Sequence, residues 1–459
     1  MENNKDGKVL QSKIKNLVIC STLNQITNYL IIKKYAPERV FNITLSDDKP
    51  NNQGNRNQFN INIKPEQWDK YLRDEVDKLK IKNSKDEIKK IEMKSISINQ
   101  EDFYNLASLK VNIGKICKDI NVKNEPIYWH ITGGQRILSL AMSEIARDRD
   151  NEEERKKDRE KDKILYLEGN TEKLIVVNNK FEFEKVEEYC DKDLTINQVL
   201  RLVGFQTGKE NDTKSKKTFI KQGEFKIHKE SSEYKFYNKL IQLIKENKEI
   251  RNKLLDNNIL KTQNVSRRDD IKNYFKEQSN IEEYKKYEED SSKIEENIKS
   301  NKDEDFFKEF EQNYPAGYIF EKIMAYSIYN VLQDKNYNII EMHTSLKTSF
   351  LDNESCIDEI DILLLTNTGK LVNFECKSGD MSSNNAKSHN YTTYRLSGVF
   401  GMPILLSPLY KEEIDNMSTI KTKYPNSCSA IRAANRAELE ACGIDDIESC
   451  LQKLNIIKK

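Results

Sequence analysis

Ile360-Asp361-Ile362-Leu363-Leu364-Leu365-Thr366-Asn367-Thr368-Gly369-Lys370-Leu371-Val372-Asn373-Phe374-Glu375-Cys376-Lys377 decides the fold of the second half of this chain. Two apolar runs, each of strand length, flank Asn367-Thr368-Gly369, whose residue types favour a turn. The expectation is two adjacent strands, 360–365 and 371–376. A lone acid such as Asp361 inside an apolar strand is costly unless it is paired or binds a cation. Residues two apart on a strand share a face, so Glu375 and Lys377 point the same way, and the short connection brings Asp361 beside Glu375. Paired carboxylates suit Mg²⁺ or Mn²⁺, which take oxygen ligands. Lys377 is then placed to orient or help deprotonate an attacking water and to stabilise charge on a phosphate. The alternative for Asp361 and Glu375 is a buried carboxylate pair bridged by Lys377.

Working outward, a helix is expected over 316–332, with Glu321 as a third acid for the metal or, alternatively, as an ordinary surface acid. Glu359 shares the face of Asp361 and is a second-choice ligand. Cys376 points the other way, into the core. Strands are expected over 337–343 and 403–406, and a helix over 391–400. Ser378, Lys387 and Arg395 are candidate phosphate contacts, with solvated surface as the alternative for each. Arg432, Arg436 and Lys421 to Lys423 add local positive charge.

The first block alternates strands (16–21, 40–44, 127–131) with helical patterns (27–34, 135–147), then a hairpin-like pair at 164–168 and 174–177. That rhythm suggests a Rossmann-like parallel sheet. Thr132-Gly133-Gly134-Gln135-Arg136 joins a strand to a helix. Glycines let a backbone approach a ligand, and helix N-terminal N–H groups favour an anion. Ser21-Thr22-Leu23-Asn24-Gln25 ends the first strand in the same way. Two such loops at strand C-terminal ends mark a ligand crevice. A plain strand-to-helix turn is the alternative for Gly133-Gly134. His130 is expected to be a structural histidine, with ligand contact as the alternative, and Trp129 to serve the core, with a base-stacking platform as the alternative.

The 459 residues fit two or three domains. A net charge of +1 means that any nucleic-acid contact is local rather than general. The eight cysteines form no Cys-x-x-Cys pair and read as reduced thiols. No run of about 18 apolar residues exists, and Met1 to Lys8 lack an export-signal core, so the expectation is a cytoplasmic protein with no membrane span. Residues 206–310 are rich in Lys, Glu, Asn and Asp and read as solvated helices joining two domains, with Tyr237, Leu240, Ile241 and Ile244 as sparse apolar positions and a small helical domain that positions the nuclease as the alternative. The polar stretches 46–58 and 147–162 read as insertions.

Asp361, Glu375-x-Lys377 and the upstream Glu321 together resemble the PD-(D/E)xK nuclease fold of restriction enzymes. The Thr132-Gly133-Gly134 turn and the Thr22–Gln25 loop resemble the CARF domain, the ligand sensor of CRISPR ancillary proteins. Leu194-Thr195-Ile196-Asn197…Val203-Gly204 resembles the end of the CARF region in its nuclease branch. The resemblance implies an α/β chain in three parts: a Rossmann-like CARF sensor (1–205), a charged helical connector (206–310) and a restriction-endonuclease-like domain (311–459). It further implies a homodimer that binds cyclic oligoadenylate, cyclic tetra-adenylate in particular, through Thr22, Asn24, Gln25, Thr132, Gly133, Gly134, Gln135 and Arg136. The implied output is metal-dependent cleavage of DNA and/or RNA in type III CRISPR antiviral defence, with Asp361, Glu375 and Glu321 on the metal. Alternatives are a restriction or repair nuclease without a second messenger, and a non-catalytic nucleic-acid-binding sensor. Degradation of the ligand by the sensor itself stays open.

Overall fold

The computed structural model describes residues 9–46, 65–83, 85–119, 125–134, 136–151, 161–169, 172–178, 180–208, 217–255, 277, 316–334, 337–351, 356–398 and 401–457. Gln135, the centre of the 147–162 insertion, nearly all of the 46–58 stretch and most of the expected connector lie outside the described residues. The chain is mixed α/β and divides into two compact units, Met1–Gln206 with Phe350–Glu354, and Thr207–Ser349 with Ser355–Lys459.

In the first unit, β1 (Val9–Gln11), β4 (Lys80–Lys82) and β5 (Ile88–Lys89) form a small sheet. The main sheet uses β2 (Asn16–Cys20), β3 (Arg39–Ser46), β6 (Glu92–Asn99), β7 (Ile127–His130), β8 (Lys163–Glu168), β9 (Lys173–Asn178) and β10 (Phe183–Glu188). Its order is β10-β9-β8-β7-β2-β3-β6. β6, β3, β2, β7 and β8 run parallel, whereas β9 and β10 join antiparallel at one edge. This is the expected Rossmann-like pattern, extended by a meander. The helices are α1 (Ile26–Tyr35), α2 (Pro65–Val76), α3 (Gln100–Phe103), α4 (Leu106–Asp119), α5 (Arg136–Asn151) and α6 (Ile196–Arg201). Val18, Cys20, Phe41, Ile43, Ile127 and Trp129 alternate along their strands and bury one face against Leu109 and Ile113 of α4 and Leu138 and Met142 of α5. Trp129 Nε1 donates to Asp162 at 3.0 Å, which lets the indole sit wholly inside. Thr195 caps α6: its hydroxyl accepts from Gln198 N, and the Gln198 side chain accepts from Thr195 N.

β11 (Phe205–Thr207) spans the boundary between the units. The second unit has β12 (Lys217–Lys221), β13 (Glu224–Phe225), β14 (Ile339–Phe350), β15 (Cys356–Thr366), β16 (Leu371–Cys376), β17 (Met402–Ser407) and β18 (Glu440–Gly443), in the order β13-β12-β14-β15-β16-β17-β18. β15 and β16 pair antiparallel through the Asn367–Gly369 turn, and β17 and β18 then add in parallel. The helices are α7 (Ser232–Glu246), α8 (Lys248–Leu255), α9 (Ala316–Asp334), α10 (Ser383–Ser397), α11 (Lys411–Asp415), α12 (Met417–Ile420), α13 (Pro425–Arg436) and α14 (Ile447–Lys453). On one face, Ile362, Leu364, Val372, Phe374 and Leu406 meet Phe236, Tyr237 and Leu240 of α7 and Ile319, Phe320 and Ile323 of α9. On the other, Leu405 meets Ala386 of α10 and Ile431 of α13. Residues 217–255 therefore belong to this core, although their composition suggested a solvated connector. Tyr237, Leu240 and Ile244 are fully buried. The helix expected at 391–400 starts earlier, at Ser383, because the Ser382 hydroxyl accepts Asn385 N–H at 3.1 Å and caps it.

Candidate active site

In the second unit, the last β15–β16 register pair toward the open end is Ile362 with Phe374, so Asp361 and Glu375 stand one step beyond it, side by side. The Cys376 N–H donates to Asp361 Oδ2 at 2.7 Å and fixes that carboxylate. Lys377 N–H donates to Leu406 O at 3.1 Å, which seats Lys377 on β17, and its ammonium pairs with Glu375 Oε1. Glu321 on α9 joins the same electrostatic cluster: burial pushes its carboxyl up to about 7, against the pull of Lys377 and Lys322, with Glu359 and Glu375 adding to the rise. Asp361 keeps some exposed surface yet lies deep among protein atoms. Burial is the largest cause of its raised pKa, and Glu321 and Glu375 come next. For Lys377, burial pulls the pKa down, but Glu375 and Asp361 together hold it above the ordinary lysine value. Cys376 is buried on the apolar side, as expected, and its thiol is pushed far up by burial.

The structure brings together Asp361, Glu375, Lys377 and Glu321. Among the described residues no group of three or more His, Cys, Asp or Glu forms a ready-made metal cage. The donor chemistry of the cluster nonetheless suits a divalent ion. Glu321, Asp361 and Glu375 offer only carboxylate oxygens, and burial first, then repulsion by Glu321 and Glu375, raises the pKa of Asp361. That is an environment which a hard cation relieves, so the residues fit Mg²⁺ or Mn²⁺.

Sequence reasoning missed His389. It is buried on α10, with Nε2 3.1 Å from the Asn373 carbonyl and Nδ1 3.6 Å from Glu375 Oε2. Burial lowers its pKa even though Glu375 pulls the other way. Asn373 Nδ2 donates to Thr393 Oγ1 at 2.9 Å, one helical turn from His389. The His389–Thr393 spacing was readable, but only with the helix started at its Ser382 cap. Ser378 is buried, Lys387 is exposed, and Arg395 lies against the Tyr391 hydroxyl at 3.2 Å.

In the first unit, β2 and β7 are parallel neighbours, so the loops that follow them meet. Gly134 has φ +85°, and a Cβ there would lie 2.4 Å from Cys20 Cβ; only glycine lets the turn close over β2. A Cβ on Gly133 would lie 3.2 Å from Thr22 Cγ2, which puts the two loops in direct apposition. Thr22, Asn24 and Gly133 are partly exposed, and Gly134 and Arg136 are exposed. Three side chains do structural duty. Thr132 Oγ1 accepts Leu167 N–H at 2.6 Å, and Asn24 Oδ1 accepts Ile26 N–H at 3.0 Å. Gln25 is fully buried, accepting from Asn28 at 2.7 Å and donating to Asp69 at 3.4 Å. His130 is also buried, with Nδ1 3.0 Å from Asn28 Oδ1, and burial pushes its pKa down to about 3. Ser21, Asn42 and Thr44 surround the Asp69 carboxyl closely enough to favour its charged form. Ser21 Oγ, Thr44 Oγ1 and both amide atoms of Asn42 nonetheless lack partners of hydrogen-bond geometry, and burial wins in raising the Asp69 pKa.

Among the described residues no helix is long and apolar enough to cross a membrane. No protein-family model matches the sequence, and no curated protein matches it. Two solved structures share the fold over nearly the whole length. One is protein VC1899 from Vibrio cholerae, with a TM-score of 0.58 and 12% identity over 96% of this chain and 97% of the other. The second is Can2 from Sulfobacillus thermosulfidooxidans in complex with cyclic tetra-adenylate, with a TM-score of 0.56 and 13% identity over 96% and 97%. At such identities the likeness is one of fold.

Proposed function

We propose that this chain is a metal-dependent nuclease of the PD-(D/E)xK kind, switched on by a cyclic oligoadenylate bound at the first unit, in type III CRISPR defence. The observation that carries it is the meeting of Asp361, Glu375 and Lys377 at the end of two paired strands, with Glu321 in the same electrostatic cluster. The shared fold with a protein solved with cyclic tetra-adenylate supports the sensor half.

Asp361 and Glu375, with Glu321, would hold Mg²⁺ or Mn²⁺, which when bound supplies a Lewis acid and an activated water for phosphodiester hydrolysis. Asp361 is oriented in advance by the Cys376 N–H and Lys377 by Leu406, so neither must reorganise its backbone as substrate arrives. The Lys377 ammonium stabilises negative charge that builds on the phosphate oxygens. None of these groups reads a base, so DNA and RNA are both within reach of the chemistry. At the first unit, Thr22, Asn24, Gly133, Gly134 and Arg136 offer surface to a phosphate or base, and Gln25 and Thr132 hold the loops in shape. A homodimer matches a two-fold site to a four-fold cyclic ligand. Activation requires that ligand to bind the active arrangement more tightly than the inactive one.

The test is cleavage of single-stranded DNA, supercoiled DNA and RNA with Mg²⁺ or Mn²⁺, with and without cyclic tetra-adenylate, for wild type and Glu375→Ala. Cutting that needs the ligand and disappears in Glu375→Ala is the expected result. Ligand-independent cutting leaves a nuclease of the restriction or repair kind. Full cutting by Glu375→Ala refutes the site.

A further inference from the structure

Glu375 leaves its sheet on the side that α10 covers. Val372, Phe374 and Cys376 point into the apolar core shared with α7 and α9, so Asn373, Glu375 and Lys377 face the other way. There α10 meets them: Asn373 Nδ2 donates to Thr393 Oγ1 at 2.9 Å, and His389 Nδ1 stands 3.6 Å from Glu375 Oε2. Ala386, His389, Thr393 and Leu396 form the buried stripe of this helix. Away from that stripe, Lys387, Tyr391 and Tyr394 are exposed and Arg395 is partly exposed. Their spacing of three and four residues sets them side by side on the outer face.

That face is cationic and aromatic in a chain of balanced charge. Of 459 residues, 75 are acidic. The 15 residues of α10 nonetheless include no acid, and neither do the 12 of α13. α13 packs beside α10, with Asn390 Nδ2 donating to Ala437 O at 2.9 Å, and adds Arg432 and Arg436. Tyr391 and Tyr394 leave 51% and 45% of their surface in water. Arg395 braces the first of them: its guanidinium lies 5.9 Å from the Tyr391 ring centre and donates to the hydroxyl at 3.2 Å. A single exposed aromatic residue is ordinary. Two of them a turn apart, interleaved with cations, on the helix that meets Glu375, form a surface with a definite chemistry. The cations call for phosphates, and the rings call for flat partners. A nucleic-acid strand with unpaired bases supplies both, whereas in a duplex the base faces are already stacked on one another.

We propose that the outer face of α10 is the platform for the substrate strand, with unpaired bases stacked on Tyr391 and Tyr394 and phosphates drawn to Lys387 and Arg395. This deepens the nuclease reading above and rests on it. A helix is about 10 Å across, so a strand on the outer face lies within a helix's breadth of Glu375. The platform selects by pairing state. Tyrosine rings and cations do not read the 2′ position of the sugar, so single-stranded DNA and RNA both fit, and a duplex is held by charge alone.

The experiment measures binding by the full chain in EDTA, where no metal supports cutting, with and without cyclic tetra-adenylate. The probes are a labelled single strand, the same strand with abasic sites, and its duplex. The variants are Tyr391→Ala, Tyr394→Ala, both together, Tyr391→Phe and Lys387→Gln. Each Tyr→Ala change is expected to weaken single-strand binding by about tenfold, and cleavage at low substrate should fall alike once Mg²⁺ or Mn²⁺ is restored. Tyr391→Phe, which keeps the ring, retains the affinity. The abasic strand keeps its phosphates and lacks base faces, so wild type holds it as weakly as the variants do, and its binding does not respond to the tyrosines. Lys387→Gln weakens every probe and lowers the salt slope by about one. A wild type that binds no single strand, wild-type affinity in the double variant, or equal losses on intact and abasic strands overturns the proposal. Tyrosine-dependent binding in a chain that cuts nothing keeps the platform and defeats the nuclease reading. Cutting that the double variant leaves untouched does the reverse.

Discussion

Lys377 is the residue on which the chemistry of the second unit turns, because it is the cation that sits beside both Glu375 and Asp361. Lys377→Ala is expected to lower metal-dependent cleavage on the order of 10²–10³-fold, read as single-turnover rate, with little change in thermal midpoint. In the first unit, Gly134→Ala forces a side chain onto Cys20 at positive φ. It is expected to cost about 1–3 kcal/mol, read by urea denaturation. His130 gives a pH signature. Its folded pKa, about 3, lies below the ordinary 6.5, so the neutral ring is what folding favours. The contribution is full above about pH 6.5 and is lost as pH falls toward about 3. Stability should drop by roughly 2 kcal/mol between about pH 7 and about pH 5 from this group, and His130→Gln should flatten that slope. At this scale the sequence was most readable where chemistry forces a residue type. Asp361 in an apolar strand and Gly134 in a tight turn announce themselves, whereas the burial of Gln25 depends on Asp69 of α2, which only folding brings near it.

Arg251 shows what an element needs in order to dock. It is fully buried on α8, with Nη2 2.7 Å from Glu413 Oε1, Nη1 3.3 Å from Pro408 O, and its guanidinium 4.3 Å from the Tyr410 ring centre. Removing it leaves the largely buried Glu413 without its charge partner. Arg251→Ala is expected to cost about 3–5 kcal/mol, seen as a lowered denaturant midpoint. Arg251 also explains why residues 217–255 read as solvent-facing from composition: they carry charge, yet Lys217 is paired within the segment by Glu233 and Arg251 by Glu413 from far along the chain. Phe219, Phe236 and Tyr237 are fully buried among those charges. Hydrophobic spacing in α7 (Phe236, Leu240, Ile244) was the available signal, diluted by Lys and Glu between. By contrast, β15 and β16 were legible because short apolar runs, Ile362 to Leu365 above all, leave a strand little alternative, and the Asn367–Gly369 turn fixes their pairing.

Two compact units predict two unfolding events by calorimetry. A ligand bound to the first unit should raise that unit's transition, by about 2.7 kcal/mol at a hundredfold excess over its dissociation constant, and leave the second in place. Cyclic tetra-adenylate that shifts only the other transition would relocate the sensor. The Rossmann-like order of the first sheet was legible as a β-α-β rhythm. The grouping of Phe350 with the first unit was not, since nothing local in the sequence marks the last residue of β14 apart from the rest of the strand. That membership bears on ancestry. A crossover near residue 206 separates the two halves of a gene cleanly on paper, yet it leaves Phe350, which groups with the first unit, on the piece that carries the second. Descent of this architecture is therefore expected to keep both halves together, since a break there strips the first unit of the Leu351 N–H that donates to Gly204 O.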